Sequence, residues 1–255
     1  MRAGLIGHTG LVGGTLLRQT EFAACYNSRN IEALAGDRFD LLVCAGVSAV
    51  KWQANRDPAA DQAGIDRLTA ALARATASEL VLISTIDVYP DPAAGGDETT
   101  AIDPAGSHAY GRHRFALEQW CRARFPRVLV VRLPALFGTG LRKNAVFDLL
   151  HGHMLGNINP AAAFQWYPLA RLWADIMVAR QAALDLVNLF PEPLPMHAII
   201  DAAFPGAPVG PATRPAPRYD MHTRHGRLFG ADGPYLMHAA ASLGALCRFV
   251  KEARP

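Results

Sequence analysis

Through the first half of the chain, continuous apolar runs alternate with segments whose apolar residues recur at helical spacing. Residues 3–6 form a short apolar run that stops at Gly7, and Leu11, Val12, Leu16 and Leu17 then follow at helix period. Residues 39–45 (FDLLVCA), 80–84 (LVLIS) and 128–133 (VLVVRL) are further apolar runs. Between them lie an Ala-rich helical segment at 61–77, with Ile65, Leu68 and Leu72 on one stripe, and another helical segment at 110–124. Strands that are apolar throughout are buried on both faces, and strand–helix–strand alternation implies a parallel sheet with right-handed crossovers. The predicted class is α/β, built on a doubly wound parallel sheet.

Beyond Gly138 the rhythm weakens. Patches at 144–153, 169–189 and 236–252 predict helices separated by irregular stretches, and 205–217 (PGAPVGPATRPAP) predicts a loop or linker. The expected organisation is a core over residues 1–138 and a small C-terminal lobe over 139–255, partly interleaved with the core.

Composition narrows the class without naming a function. The chain has 255 residues, 51% apolar and 18% charged, which suits a packed core and excludes disorder. A net charge of +3 with no Lys/Arg tract interleaved with aromatics gives nucleic-acid binding no support. No apolar run approaches the ~20 residues that span a bilayer, so no membrane partner is expected. The opening Met1–Gly7 is too short and Gly-rich for a signal peptide, which makes the cytoplasm the expected location. Cysteines 25, 44, 121 and 247 lack zinc or disulfide spacing, and Cys44 reads as a small core residue. His151 with His153, and His222 with His225, have no carboxylate or Cys partner at matching spacing, so no metal is expected.

Gly7-His8-Thr9-Gly10-Leu11-Val12-Gly13 stands directly between the first apolar run and the first helical segment. In such a place the first Gly permits a tight turn and the second lets backbone approach a pyrophosphate. The third lets the helix pack closely on the strand, while the helix N-terminus offers unpaired N–H groups to phosphates. Gly7, Thr9, Gly10, Leu11, Val12 and Gly13 are therefore candidate dinucleotide-binding residues, joined by Ala45 and Gly46 at the end of the next apolar run. About 20 residues on, an NAD enzyme places an acid against the ribose 2′-hydroxyl. Here the predicted second strand, 22–26, runs into Asn27-Ser28-Arg29 with no carboxylate at its tip, and Asp37 comes too late. Ser28 and Arg29 suit a 2′-phosphate, so NADP(H) is preferred and NAD(H) is the second choice. An exposed turn with a solvated Arg is the alternative.

Ser84-Thr85-Ile86-Asp87 follows the 80–84 strand, and Tyr110-Gly111-Arg112-His113-Arg114 opens the next helix, with Tyr110 and Arg114 on one face. Together with the glycine loop and Arg132-Leu133-Pro134-Ala135-Leu136-Phe137-Gly138, these residues resemble the extended short-chain dehydrogenase/reductases, the NAD-dependent epimerase/dehydratase-like family. The resemblance covers residues 1–145 and rests on the glycine loop, a Thr after a buried strand, and a Tyr followed four residues later by a cation. It implies a Rossmann core with a substrate-facing C-terminal lobe, and a family habit of dimerising makes a homodimer compatible. It also implies that Tyr110 is the acid/base, Thr85 holds the substrate oxygen, and a cation at 114 binds the nicotinamide ribose and lowers the Tyr pKa. Pro134 joins the cofactor-binding set on the same ground. Bringing a Tyr from about 10 to about 7 needs roughly 4 kcal/mol, which one charge about 4 Å away supplies at an effective dielectric of 20.

The departures are informative. Arg114 stands where the family has Lys; it keeps the charge but cannot relay a proton, so His113 or water would have to refill the Tyr. Arg114 could instead pair with Glu118 one turn on. Ile86 replaces one acid of the dehydratase pair and leaves only Asp87, which disfavours a dehydratase. Lys51 could reach a phosphate or a substrate anion, or lie on the surface; Lys143 and Asn144 could line a substrate cleft, or serve as a capping or surface pair. The expected function is an NADP(H)-dependent oxidoreductase acting on a carbonyl or hydroxyl of a small, sugar-like molecule. The alternatives are a sugar-nucleotide-type epimerase with tightly held cofactor and a catalytically weak NADP-binding or sensing protein.

Overall fold

The computed structural model describes residues 1–254. In chain order the first half runs β1 (Ala3–Ile6), α1 (Leu11–Gln19), β2 (Ala24–Tyr26), β3 (Arg38–Cys44), α2 (Lys51–Arg56), α3 (Pro58–Leu72), β4 (Thr76–Thr85), α4 (Ala109–Arg124) and β5 (Val128–Leu133). Then come β6 (Ala135–Phe137), α5 (Ala145–His151), β7 (Ala163–Phe164), β8 (Trp166–Pro168), α6 (Leu172–Gln181), β9 (Leu186–Asn188), β10 (Leu194–Pro195), α7 (Met196–Ala203) and α8 (Ala239–Ala253).

The chain divides into two compact units. The first comprises residues 1–90, 100–132 and 173–187; the second comprises 91–99, 133–172 and 188–255. Set beside the expected core of 1–138 and a partly interleaved lobe of 139–255, the first unit lacks 91–99 and 133–138 and includes 173–187. The physical reason is that β9 completes the sheet, and its strand hydrogen bonds tie residues 173–187 to the first unit.

The first unit holds a six-stranded parallel sheet, ordered β2-β1-β3-β4-β5-β9 and flanked by helices. The register sets Ile6 beside Tyr26 and Cys44, and Cys44 beside Leu82, so the carboxyl ends of β1, β2 and β3 lie level, with β4 running three residues further to Thr85. Its core joins sheet residues Ile6, Leu42, Leu80 and Val130 to Leu68 and Leu72 of α3 and Leu117 and Cys121 of α4. Burying such side chains contributes roughly 1.5–3 kcal/mol each. Cys44 is fully buried there and its thiol pKa is pushed up to about 11 by that burial.

The second unit has its own core of Phe137, Val146, Trp166, Met196, Ile199, Leu246 and Val250. β6 pairs parallel with β8, and β7 pairs antiparallel with β10. Glu98 closes this unit by accepting from the Asn188 and Arg224 backbone N–H groups and the Thr223 hydroxyl.

Several elements differ from the sequence expectation for local reasons. The segment 61–77 is not one helix: α3 starts at Pro58, capped by Asp57, and ends at Leu72, after which the chain turns and β4 begins at Thr76. The segment 169–189 contains α6 and then β9, parted by Ala183 at φ +54. Strand β2 is shorter than 22–26, and residues 205–217 contain no helix or strand. Among the described residues, no helix is long and apolar enough to cross a membrane and no cluster of His, Cys, Asp or Glu could hold a metal ion.

Candidate active site

The carboxyl edge of β1, β3 and β4 collects most of the residues singled out from the sequence. Gly7 turns the chain at φ +88, and a Cβ at Gly13 would lie 2.2 Å from the Gly7 carbonyl oxygen, so only glycine lets α1 start this close to β1. Gly10 is the helix N-cap and makes no side-chain cap bond, which leaves the first N–H groups of α1 without a side-chain acceptor. Thr9 and Gly10 are exposed at the tip, and Leu11 and Val12 are half-buried. His8 steadies the loop, its Nδ1 3.0 Å from the Tyr26 carbonyl. Ala45 and Gly46 follow β3 and pack against this turn.

The residues after β2 divide their tasks. The Asn27 carboxamide accepts from the Arg29 N–H, and the Ser28 carbonyl accepts from Arg67. The Arg29 side chain is exposed and its guanidinium has no partner among the described residues. Asp37 precedes β3 at the opposite, amino edge of the sheet, where Tyr26 and Arg2 donate to it. An acid therefore does not occupy the place beside Arg29.

The second cluster begins with α4. Its N-cap His108 accepts from the Gly111 N–H through Nδ1, and a Cβ at residue 111 would lie 2.0 Å from the Asp87 carbonyl oxygen. That close approach sets Tyr110 beside Thr85 and Asp87. The Tyr110 N–H donates to Asn55 Oδ1 at 2.9 Å, which docks α2 on the same spot. Lys51, one turn before Asn55 on α2, forms an ion pair with Asp87 at 2.6 Å. Beneath them, Glu118 accepts from Ser84 at 2.5 Å and from Arg132 through both oxygens, while Arg132 also donates to the Tyr89 hydroxyl. This fully buried network fixes the end of β4.

Arg114 is where the structure departs most from expectation. It pairs with Asp61 of α3 and not with Glu118. Nη1 donates to Asp61 Oδ2 at 2.5 Å and to the Tyr110 carbonyl, while Nη2 donates to Asp61 Oδ1 at 2.8 Å and the Ser48 carbonyl at 2.7 Å. Its Nε is buried without a partner. The side chains of Arg114 and Asp61 are only 4% and 7% exposed, so no donor is turned outward for a ribose. His113 Nδ1 sits 2.8 Å from the same carboxylate. Burial pushes the Asp61 carboxyl up, but the hydrogen bonds from Arg114 and His113 outweigh it and hold the carboxyl below its ordinary range.

The electrostatic expectation for Tyr110 is reversed in its sum. The Arg114 guanidinium carbon lies 3.8 Å from the Tyr110 ring centre and does favour phenolate. Burial is the larger effect, however, and the phenol pKa is raised above its ordinary value; Asp87 adds to the rise, while Thr85 and Lys51 oppose it. The free-energy arithmetic for one bare cation fails because this phenol is 7% exposed and desolvated.

The family model for the NAD dependent epimerase/dehydratase family matches residues 20–159, more than half of the chain. The chain belongs to that family. Solved structures of low identity share the fold. A dTDP-4-dehydrorhamnose reductase from Clostridium acetobutylicum ATCC 824 is 15% identical at a TM-score of 0.72, covering 99% of each chain. One from Bacillus anthracis str. Ames, in complex with NADP, is 18% identical at 0.72, covering 98% of this chain and 99% of that one. A UDP-N-acetylglucosamine 4-epimerase from Methanobrevibacter ruminantium M1, in complex with UDP-N-acetylmuramic acid, is 10% identical at 0.73, covering 98% and 97%. No curated protein sequence matches the chain. The family match begins after the glycine turn, so the case for that turn rests on its geometry.

Within this family frame, the remaining candidates lie in the second unit. Pro134 is buried and Lys143 exposed. Asn144, at φ +123, is committed to its helix: its Oδ1 accepts from the Val146 and Phe147 N–H groups and its Nδ2 donates to the Leu136 carbonyl. Of its two sequence readings, the cap is the one its bonds express. Sequence reasoning missed Asp61, Asn55 and Ser48 altogether, because each acts through contacts with residues more than 50 positions away.

Proposed function

We propose that this chain is an NADP(H)-dependent oxidoreductase that interconverts a carbonyl and a hydroxyl on a sugar-like substrate. The observation that carries the reading is the shared sheet edge: a glycine-lined helix start, a partnerless guanidinium after β2, and a Thr–Tyr pair after β4. The residues fit a dinucleotide. The α1 N-terminus would hold its diphosphate, with Thr9 to Gly13 against it, and Arg29 would meet a 2′-phosphate through charge-assisted bonds. When bound, such a cofactor supplies or accepts hydride.

Tyr110 is the proton donor to the nascent oxygen in reduction, and Thr85 orients that oxygen. The raised phenol pKa suits this direction, since the phenol keeps its proton until the developing alkoxide takes it. The buried Glu118–Arg132 pair holds the end of β4 so that Thr85 stays in place. Sugar-nucleotide substrates are the first class to test, given that the dTDP-4-dehydrorhamnose reductases share the fold.

The experiment is a melting and fluorescence titration with NADPH and NADH, then turnover of dTDP-4-dehydrorhamnose and simple ketones followed by nicotinamide absorbance. Stabilisation by NADPH, net NADPH oxidation, and its loss in Tyr110→Phe with binding retained support the reading. Conversion of a sugar nucleotide with no net NADPH change points to an epimerase instead. Unchanged cellular function in Tyr110→Phe, with NADPH binding intact, would indicate a sensing protein.

A further inference from the structure

Each turnover in the reducing direction takes one proton from Tyr110, and that proton must return from solvent. A lysine at 114 could serve this purpose; the arginine there cannot. Its planar donors are spent on Asp61, Ser48 and the Tyr110 carbonyl, and a guanidinium does not release a proton at working pH. His113 turns its Nδ1 to the same Asp61, and His108 accepts the Gly111 N–H through its Nδ1 with its ring centre 6.3 Å from that of Tyr110.

A different ammonium stands on the other side of the phenol. Lys51 and Asn55 lie one turn apart on α2, and Asn55 accepts the backbone N–H of Tyr110 itself. The same docking that fixes Asn55 therefore presents Lys51 to the site. Lys51 Nζ is 2.6 Å from Asp87 Oδ1, and Thr85 Oγ1 is 3.5 Å from Asp87 Oδ2 and accepts from the Asp87 N–H at 3.2 Å. The Thr85 hydroxyl faces the Tyr110 phenol. The Lys51 side chain is 38% exposed, whereas that of Arg114 is 4% exposed. A chain of polar groups thus runs from a buried phenol to an amine in contact with water. Besides these groups, the charged or titratable neighbours of Tyr110 are Arg114, over its ring, and His108, whose ring centre is 6.3 Å away.

We propose that Lys51, presented by α2 and reaching Tyr110 through Asp87 and Thr85, returns the proton that the phenol gives up, a task from which Arg114 is held away. This rests on the reductase reading of the site. In the step, the Tyr110 O–H bond breaks as the substrate oxygen gains its proton. The Lys51 ammonium gives a proton to the Asp87 carboxylate, and the carboxyl so formed passes one to Thr85 Oγ1 as the Thr85 hydroxyl, turned from Asp87 to the phenolate, gives up its own; the sum is phenolate and ammonium converted to phenol and amine. Water reprotonates the Lys51 amine, so one solvent proton is consumed per carbonyl reduced. The long Thr85–Asp87 contact is of the kind that tightens when substrate closes a site. Lys51 is a positioning and proton-supplying residue here, acting through Asp87 and Thr85.

The test needs no substrate. With tyrosine carrying carbon-13 at the ring carbon bonded to oxygen, NMR in mixed light and heavy water reports how fast the Tyr110 hydroxyl exchanges its proton. Tyr110→Phe assigns the signal. The expected result is that Lys51→Met and Asp87→Asn slow this exchange by about a hundredfold. Lys51→Arg, which keeps the charge and the fold but not the transferable proton, slows it equally, while Arg74→Ala, at the exposed Arg74–Glu32 pair, leaves it unchanged. Exchange in folded Lys51→Arg equal to that of the parent chain overturns the proposal, as does an effect of Arg74→Ala as large as that of Lys51→Met. If Lys51→Met fails to fold, Lys51→Arg carries the decision. A parallel NADPH fluorescence titration separates the two readings: no NADPH binding defeats the oxidoreductase reading, whereas unaltered proton exchange defeats only the relay.

Discussion

Replacing Asp61 by Asn tests whether the Arg114 site is as closed as its geometry requires. The variant keeps the size of the side chain and one carbonyl acceptor but removes the charge that balances a guanidinium only 4% exposed. Breaking a buried pair by neutralising one member costs about 3–5 kcal/mol, because the remaining charge stays desolvated. Asn can still accept one bond, which places the expected loss near the low end, about 3 kcal/mol. For a chain of this size that corresponds to a Tm lower by about 6–12 °C. Urea unfolding followed by circular dichroism measures it directly. Arg74→Ala, at the exposed Arg74–Glu32 pair, is the control and should change stability by less than about 1 kcal/mol. Asp61→Asn combined with Arg114→Met removes both charges and should recover most of the loss. The pH sign is fixed by the depressed Asp61 carboxyl. Its contribution is full above the ordinary carboxylate value of about 4 and disappears as pH falls through its own lower one. The gap between the parent chain and Asp61→Asn should therefore close only in strong acid. A loss under about 1 kcal/mol at neutral pH, or a double variant no better than the single one, would refute the closed-site account.

Three further outcomes are expected. Arg29→Glu should weaken NADPH binding by about 10- to 100-fold, the worth of one charged hydrogen bond, and leave NADH binding nearly unchanged; equal losses for both would remove Arg29 from 2′-phosphate recognition. Gly13→Ala forces a methyl group against the Gly7 carbonyl, so it should destabilise the chain by about 1–3 kcal/mol and abolish NADPH-dependent stabilisation in a melting assay. Tyr26 is raised to about 12 by burial and by its bond to Asp37. Its stabilising contribution is present below the unfolded phenol value of about 10 and is lost as pH rises through about 12, so Tyr26→Phe should flatten the alkaline fall in urea stability.

What the sequence made legible follows from what each residue type signals locally. The strands of the sheet announce themselves as unbroken apolar runs because both faces are buried, and the glycine turn is readable because close backbone approach admits no other residue at Gly13. The Ala-rich stretch after Leu72 misleads for the opposite reason: alanine favours helix by default, yet Ala75 and Ala77 belong to the approach and start of β4. Helix α2 is silent in the periodicity because Ala54 is its one buried residue, and it carries Lys51 and Asn55. Asp61 lies in the first turn of α3, where an acid is ordinary for helix-dipole reasons alone, so nothing local reveals its bond to an arginine 53 residues on. Thr85 and Tyr110 were findable by type and order; what surrounds them was not.

The substitution at 114 shows why that surrounding matters. An arginine presents five N–H donors in a rigid plane, and a buried one must find acceptors for most of them. This fold supplies both oxygens of Asp61 and the carbonyls of Ser48 and Tyr110, leaving only Nε. Once so anchored, the side chain fastens α4 to α3 and to the loop after β3, and its charge is shared with a carboxylate. Lysine and arginine at this position are therefore different devices: a flexible ammonium can serve a ribose and a proton path, whereas a clamped guanidinium holds the helix that carries Tyr110. A chain that adopts the clamp has to provide an acid on the facing helix and an amine elsewhere, and Asp61 and Lys51 occupy those places here.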